Sequence, residues 1–183
     1  MAYRNGTYIA FHAEGKTDPT ASDLKYYRLL KAWHANDDVA FSFVNSHEKV
    51  AAVRDSSTKH TLRRSLIKRM DNSKNMVLII GETTRMDTDW VPFEIQYAID
   101  DCKIPLIIVY TGYDTIINPS AGKPLWPSAL TERIANHSAR AIHIPFKRNA
   151  IDAAIKQFNF SSPPAGPLEW YSLGAHRSFG IAC

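Results

Sequence analysis

The chain has 183 residues, 45% of them hydrophobic and 22% charged, with 22 Lys and Arg against 18 Asp and Glu. That length suits one domain with a full core and is too short for two ordinary ones, and the composition excludes wholesale disorder. A net charge of +4 permits an anionic partner without demanding one. No 18-residue apolar run is present, so no membrane helix is expected, and the first six residues lead into a strand rather than a signal-peptide core. Only Cys102 and Cys183 occur, so a disulfide framework is not expected and a reduced, cytoplasmic setting is.

In chain order, residues 7–11 form a first strand that ends at His12. A polar loop leads to a helix carrying Leu24, Tyr27, Leu30, Lys31, Trp33 and His34. Residues 39–44 read as a second strand, with Asn45 and Ser46 in the loop at its end. Ser57 or Thr58 caps a helix that runs to Met70 and turns Leu62, Leu66, Ile67 and Met70 inward. Residues 76–80 are a continuous apolar run closed by Gly81, the mark of a strand buried on both faces. After a polar loop, a helix begins near Asp89, which can cap it. Val91, Ile95, Ala98, Ile99 and Cys102 make its core face. Residues 104–110 form a fourth strand, 128–136 a short helix, 141–145 a fifth strand and 149–158 a closing helix. Five strands alternating with helices predict an α/β fold with a parallel sheet of order 2-1-3-4-5 and helices on both faces. Residues 1–160 are expected to form the domain. The run 161–167, rich in Ser and Pro, breaks the chain, and 161–183 are expected to pack back on the domain as a tail.

Several chemistries lack their motifs. There is no G-x-G-x-x-G after a strand, no Walker loop and no G-x-S-x-G elbow. The seven histidines are scattered, so no metal site is expected. Arg54, Lys59, Arg63, Arg64, Lys68 and Arg69 form the densest basic region. A solvated helix face explains it, and nucleic acid is not an expected partner. What remains is the carboxyl edge of the sheet, where open α/β folds bind ligands. If strands 1 and 3 are neighbours, Phe11 and His12 meet the start of the helix holding Trp90 and Glu94. Asn45, Ser46 and Thr111 arrive from strands 2 and 4. On composition alone, Glu94 reads as an ordinary helix-surface carboxylate and Phe11 and Trp90 as core residues.

The strand Tyr8-Ile9-Ala10-Phe11-His12, the run from Ile67 to Gly81 and above all Trp90-Val91-Pro92-Phe93-Glu94-Ile95 resemble TIR domains. The likeness covers residues 7–158 and is closest to the prokaryotic TIR-like family that includes the sensor subunit of Thoeris anti-phage defence. The resemblance implies a flavodoxin-like three-layer fold and cleavage of NAD+, with NAD+ as substrate and no resident cofactor. It places the required catalytic glutamate at Glu94. Substrate-binding positions are expected at Phe11, His12, Asn45, Ser46, Trp90 and Thr111, and the metal set is empty. The chain departs from the animal TIR pattern in lacking a basic, Gly- and Pro-containing loop after strand 2, so no residue of that loop is carried over.

One carboxylate fits this chemistry. Nicotinamide leaves NAD+ as a neutral molecule and needs no general acid, unlike the leaving oxygen of an ordinary glycoside. A preorganised Glu94 would stabilise the oxocarbenium-like ribose, and Phe11 and Trp90 would stack on a ring of the substrate. Attack by an adenine nitrogen or ribose hydroxyl instead of water would give a cyclic nucleotide. The resemblance implies a homo-oligomer that completes its site with a neighbouring copy. It also implies a diffusible product read by a downstream nucleotide-sensing effector protein, for which the short tail leaves no room. Two alternatives stand beside this reading: a non-catalytic TIR assembly scaffold, and an enzyme like nucleoside deoxyribosyltransferase, which also uses a glutamate on a flavodoxin-like sheet.

Overall fold

A computed structural model describes residues 4–13, 23–35, 41–42 and 56–182. The elements are β1 (Gly6–Ala10), α1 (Leu24–Trp33), β2 (Phe41–Ser42), α2 (Ser56–Asp71), β3 (Ser73–Ile80), α3 (Trp90–Gln96), β4 (Leu106–Tyr110), α4 (Ser128–Ala135), β5 (Ala141–Pro145), α5 (Arg148–Gln157), β6 (Glu169–Trp170) and α6 (Leu173–Ser178). Short 3₁₀ segments occupy Thr84–Met86 and Pro119–Leu125. All strand pairs are parallel, and the order is β2-β1-β3-β4-β5-β6. The fold is therefore the three-layer, flavodoxin-like α/β architecture that the alternating pattern predicts. Its sheet gains a sixth strand from the tail.

Strand side chains alternate between two cores. Tyr8, Ala10, Met76, Leu78, Ile80, Leu106, Ile108 and Tyr110 face the layer of α2, α3 and α4. Ile9, Phe11, Val77, Ile79, Ile107, Val109, Ile142 and Ile144 face α1 and α5. Because both faces are covered, the central strands read as unbroken apolar runs instead of alternating ones.

β3 begins three residues before its apolar run. Its buried Asn75 accepts from Thr7 Oγ1 at 2.8 Å and donates to the carbonyls of Ile155 (3.2 Å) and Phe158 (2.7 Å). A polar side chain so fully partnered is tolerated inside a core, which is why hydropathy alone misplaces the strand start.

The tail lies on the domain. Ala141 N donates to the Gly166 carbonyl at 3.0 Å, β6 pairs with Ile142 and His143, and Ile181 is buried against the α1–α5 core. A buried chain of hydrogen bonds fastens this side. Trp126 Nε1 donates to Tyr110 Oη at 2.7 Å, the Tyr110 hydroxyl lies 2.7 Å from His143 Nδ1, and His143 Nε2 lies 3.0 Å from the Pro167 carbonyl. The carbonyl can only accept, so Nε2 carries the hydrogen and Nδ1 accepts from Tyr110. No helix among the described residues is long and apolar enough to cross a membrane.

Candidate active site

α3 starts where the loop after β3 ends, and the residue that caps it is Asp87. Its Oδ1 accepts from the backbone N–H of Asp89 and of Trp90, both at 2.9 Å. Asp89, expected as the cap, makes no capping bond with its side chain and instead meets Lys59 Nζ at 2.5 Å. Asp87 lies three residues before Trp90, so its carboxylate reaches the first free N–H groups, which a carboxylate in extended backbone satisfies well. Pro92 sits in the first turn, where no intrahelical N–H is lost. The helix then widens into a π-turn over Tyr97–Asp101, closed by Cys102 N on the Tyr97 carbonyl at 3.0 Å.

Val91 and Ile95 pack against the sheet, and so does Glu94, which is 0% exposed. On composition alone Glu94 reads as a helix-surface carboxylate. Its position one turn after Trp90 instead carries it under the sheet, where Tyr8 reaches it. Tyr8 Oη donates to Glu94 Oε1 at 2.7 Å across 86 residues of chain. Burial holds the Tyr8 hydroxyl well above its ordinary range, helped by the charge of Glu94 and the bond to it and opposed by the positive charge of Arg69. Tyr8 is therefore a fixed donor. The sheet order reverses at β1, whose neighbours are β2 and β3, and Glu94 bridges from the helix after β3 to β1 at that switch point.

The other expected positions separate. Trp90 is on the Glu94 side, 5% exposed. His12 is half-buried, with Nδ1 3.3 Å from Thr83 Oγ1. Phe11 faces the opposite layer, fully buried and stacked on Tyr27 with centroids 5.0 Å apart, so it is not brought to Glu94. Asn45 and Ser46 lie outside the described residues. Thr111 lines a polar cavity of ≈ 260 Å³ at the carboxyl ends of β3 and β4, together with Asp23, Lys25, Tyr26, Glu82, Thr83 and Gly112. The wall of that cavity is fixed by Thr84 Oγ1, which accepts from Gly81 N at 2.7 Å and meets Asp23 Oδ2 at 2.9 Å. A Cβ on Gly81 would stand 2.1 Å from Asp23 Oδ1, so a larger residue here would displace the Asp23 carboxylate from the wall.

Residue-by-residue reading missed Tyr8, Asp87 and Thr84. The alternation of β1 puts Tyr8 on the α3 side, and a Tyr at a buried strand position needs a partner for its hydroxyl. That was the available signal. Cys102 supplies no nucleophile, since its thiol is pushed up to about 12 by burial and by Asp71. Among the described residues no group of three or more His, Cys, Asp or Glu could hold a metal ion.

The family model of the TIR-like domain of the Thoeris protein ThsB matches residues 8–116. The match starts at Tyr8, runs through α3 and ends past β4, so both members of the Tyr8–Glu94 pair fall inside it. Covering more than half of the chain, with the sheet order and three layers in agreement, it shows that this protein belongs to the ThsB TIR-like domain family.

Proposed function

We propose that this protein cleaves the nicotinamide–ribose bond of NAD+ with Glu94 as the catalytic carboxylate, and that it releases an ADP-ribose-derived, cyclic product as a signal in anti-phage defence. The observation that carries the reading is the buried Tyr8–Glu94 pair at the β1–β3 switch point. Withdrawing a carboxylate from water costs several kcal/mol, so folds rarely spend one in a core without a use for it. In surroundings of low polarity it stabilises a positive transition state far better than a solvated carboxylate would. Tyr8 fixes Glu94 in place, and that fixed carboxylate is the charge that would steady the ribose as the C1′–N bond breaks and the electron pair returns to the nicotinamide ring. No proton is required of the protein in that step.

Because Glu94 is closed off here, NAD+ reaches it only when the side chains over it move aside. A resting state of low turnover follows, which suits an enzyme whose constant activity would drain the cell of NAD+. Assembly with further copies, or an infection trigger, supplies the opening, and a nucleotide-sensing effector receives the product.

Glu94→Gln is the direct test. Gln keeps the acceptor for Tyr8 and nearly the same volume, so the folded state is expected to persist while NAD+ turnover falls by about 10²–10³-fold, the scale of removing one electrostatic stabiliser. Wild-type turnover in a folded Glu94→Gln protein would overturn the assignment. Product masses separate the alternatives: a species one water lighter than ADP-ribose marks cyclisation, linear ADP-ribose marks hydrolysis, and nucleoside exchange without NAD+ loss marks the transferase chemistry.

A further inference from the structure

The helices on either side of Glu94 are stitched together near their starts by cations of α2 that lie on aromatic rings of α3. Both helices follow strands of a parallel sheet and run back across it, so their first turns stand at the carboxyl edge, where ligands enter. Lys59 and Arg63 are four residues apart and share one face of α2. Lys59 is committed: its ammonium meets Asp89 and stands 5.6 Å from the centroid of the Trp90 ring. Arg63 is not. Its side chain is exposed, its guanidinium lies over the Phe93 ring at 4.2 Å from the centroid, and it forms no ion pair or hydrogen bond among the described residues. Resting on a ring uses none of its N–H groups, which stay available around the rim of the guanidinium.

We propose that Arg63 binds the pyrophosphate of NAD+, its ring-supported guanidinium donating to phosphate oxygens while Glu94 serves the ribose. The inference rests on the NAD+-cleaving reading above. Phe93, which carries the guanidinium, is the residue next to Glu94. In NAD+ the nearer phosphate is joined to the ribose by a single CH2–O link. Electrostatics call for a cation at that place. A carboxylate poised for a positive ribose also repels the phosphates attached to that ribose, and the repulsion acts on the bound substrate before any bond breaks. A fixed cation on the phosphate side offsets it without touching the reacting carbon. Arginine suits the task better than lysine, because its planar fork meets a phosphate with two parallel hydrogen bonds. The pyrophosphate does not change during cleavage. Its bond to Arg63 is therefore as strong in the substrate as in the transition state, so Arg63 acts on binding and not on the chemical step. No atom passes to or from it.

The test is Arg63→Gln, with Arg63→Lys beside it. Each is assayed for NAD+ cleavage and for inhibition by ADP-ribose, which contains the pyrophosphate, and by nicotinamide, which does not. Arg63→Gln is expected to raise KM for NAD+ and the inhibition constant of ADP-ribose together by about tenfold, the scale of one charge-assisted hydrogen bond. Its kcat and its inhibition by nicotinamide should stay as in wild type, and the rise of KM with salt should flatten. Arg63→Lys, a point charge without the fork, is expected to fall between the two. An Arg63 that did no more than brace α3 through Phe93 would instead lower kcat or weaken both inhibitors alike, and either result would overturn the proposal. An unchanged KM would overturn it as well. If wild type does not cleave NAD+, the reading of the site fails and this inference falls with it. If wild type cleaves NAD+ and KM is indifferent to Arg63, only the role of Arg63 fails.

Discussion

At the scale of single residues, His143 shows how much a buried proton balance contributes. It is fully buried, and burial pushes its pKa down from 6.5 to about 4, against the Pro167 carbonyl, which favours the charged form. As a neutral ring it accepts from Tyr110 and donates to Pro167. A second ring proton would face the Tyr110 hydroxyl, whose hydrogen already points that way. The folded value is below the unfolded one, so the unfolded chain takes up the proton first. The contribution of His143 to stability is complete above about pH 6.5, shrinks as the pH falls and is gone near pH 4. The loss is on the order of 3 kcal/mol across that window. Urea midpoints of wild type and His143→Gln, measured from pH 7 to pH 4, should therefore converge as the pH drops. Parallel curves would show that His143 titrates normally.

At the scale of elements, the start of α3 decides where Glu94 and Trp90 stand. Asp87→Ala removes the acceptor for two N–H groups and is expected to cost about 1 kcal/mol, within the usual 0.5–2 for a lost cap. Asp89→Ala is expected to cost less, because its ion pair with Lys59 is two-fifths exposed on both sides. Denaturant midpoints that rank the two substitutions the other way would return the cap to Asp89. The central strands, the apolar core positions of α3 and the order of the sheet were legible in the sequence, because apolar runs such as 76–80 and 106–110 report burial directly. The cap was not, since Asp87 and Asp89 have the same side chain and only the path of the loop selects between them. Nor was the partner of Glu94, for Tyr8 is 86 residues away and no local pattern links them. A two-residue strand such as β6 carries too little periodicity to be read at all.

At the scale of the whole molecule, residues 161–182 complete the sheet. Removing everything after residue 160 would bare the outer edge of β5, take the Pro167 acceptor from His143 and uncover the cavity that Ile181 fills. The side chain of Ile181 alone is worth about 1.5–3 kcal/mol, and an open apolar edge invites pairing between chains. The truncated protein is expected to melt lower and to scatter light at concentrations where the full chain does not; unchanged melting would mean that the tail is dispensable. The position of β1 carries a consequence in time as well. β1 precedes both of its neighbours in the chain, and β3 starts 63 residues after β1 ends. At ribosomal speeds of about 5–20 residues per second, an apolar strand waits roughly 3–13 s for the partner that gives Tyr8 its neighbours. During that interval the nascent chain presents β1 without its β3 neighbour, and a need for chaperones during translation is expected there.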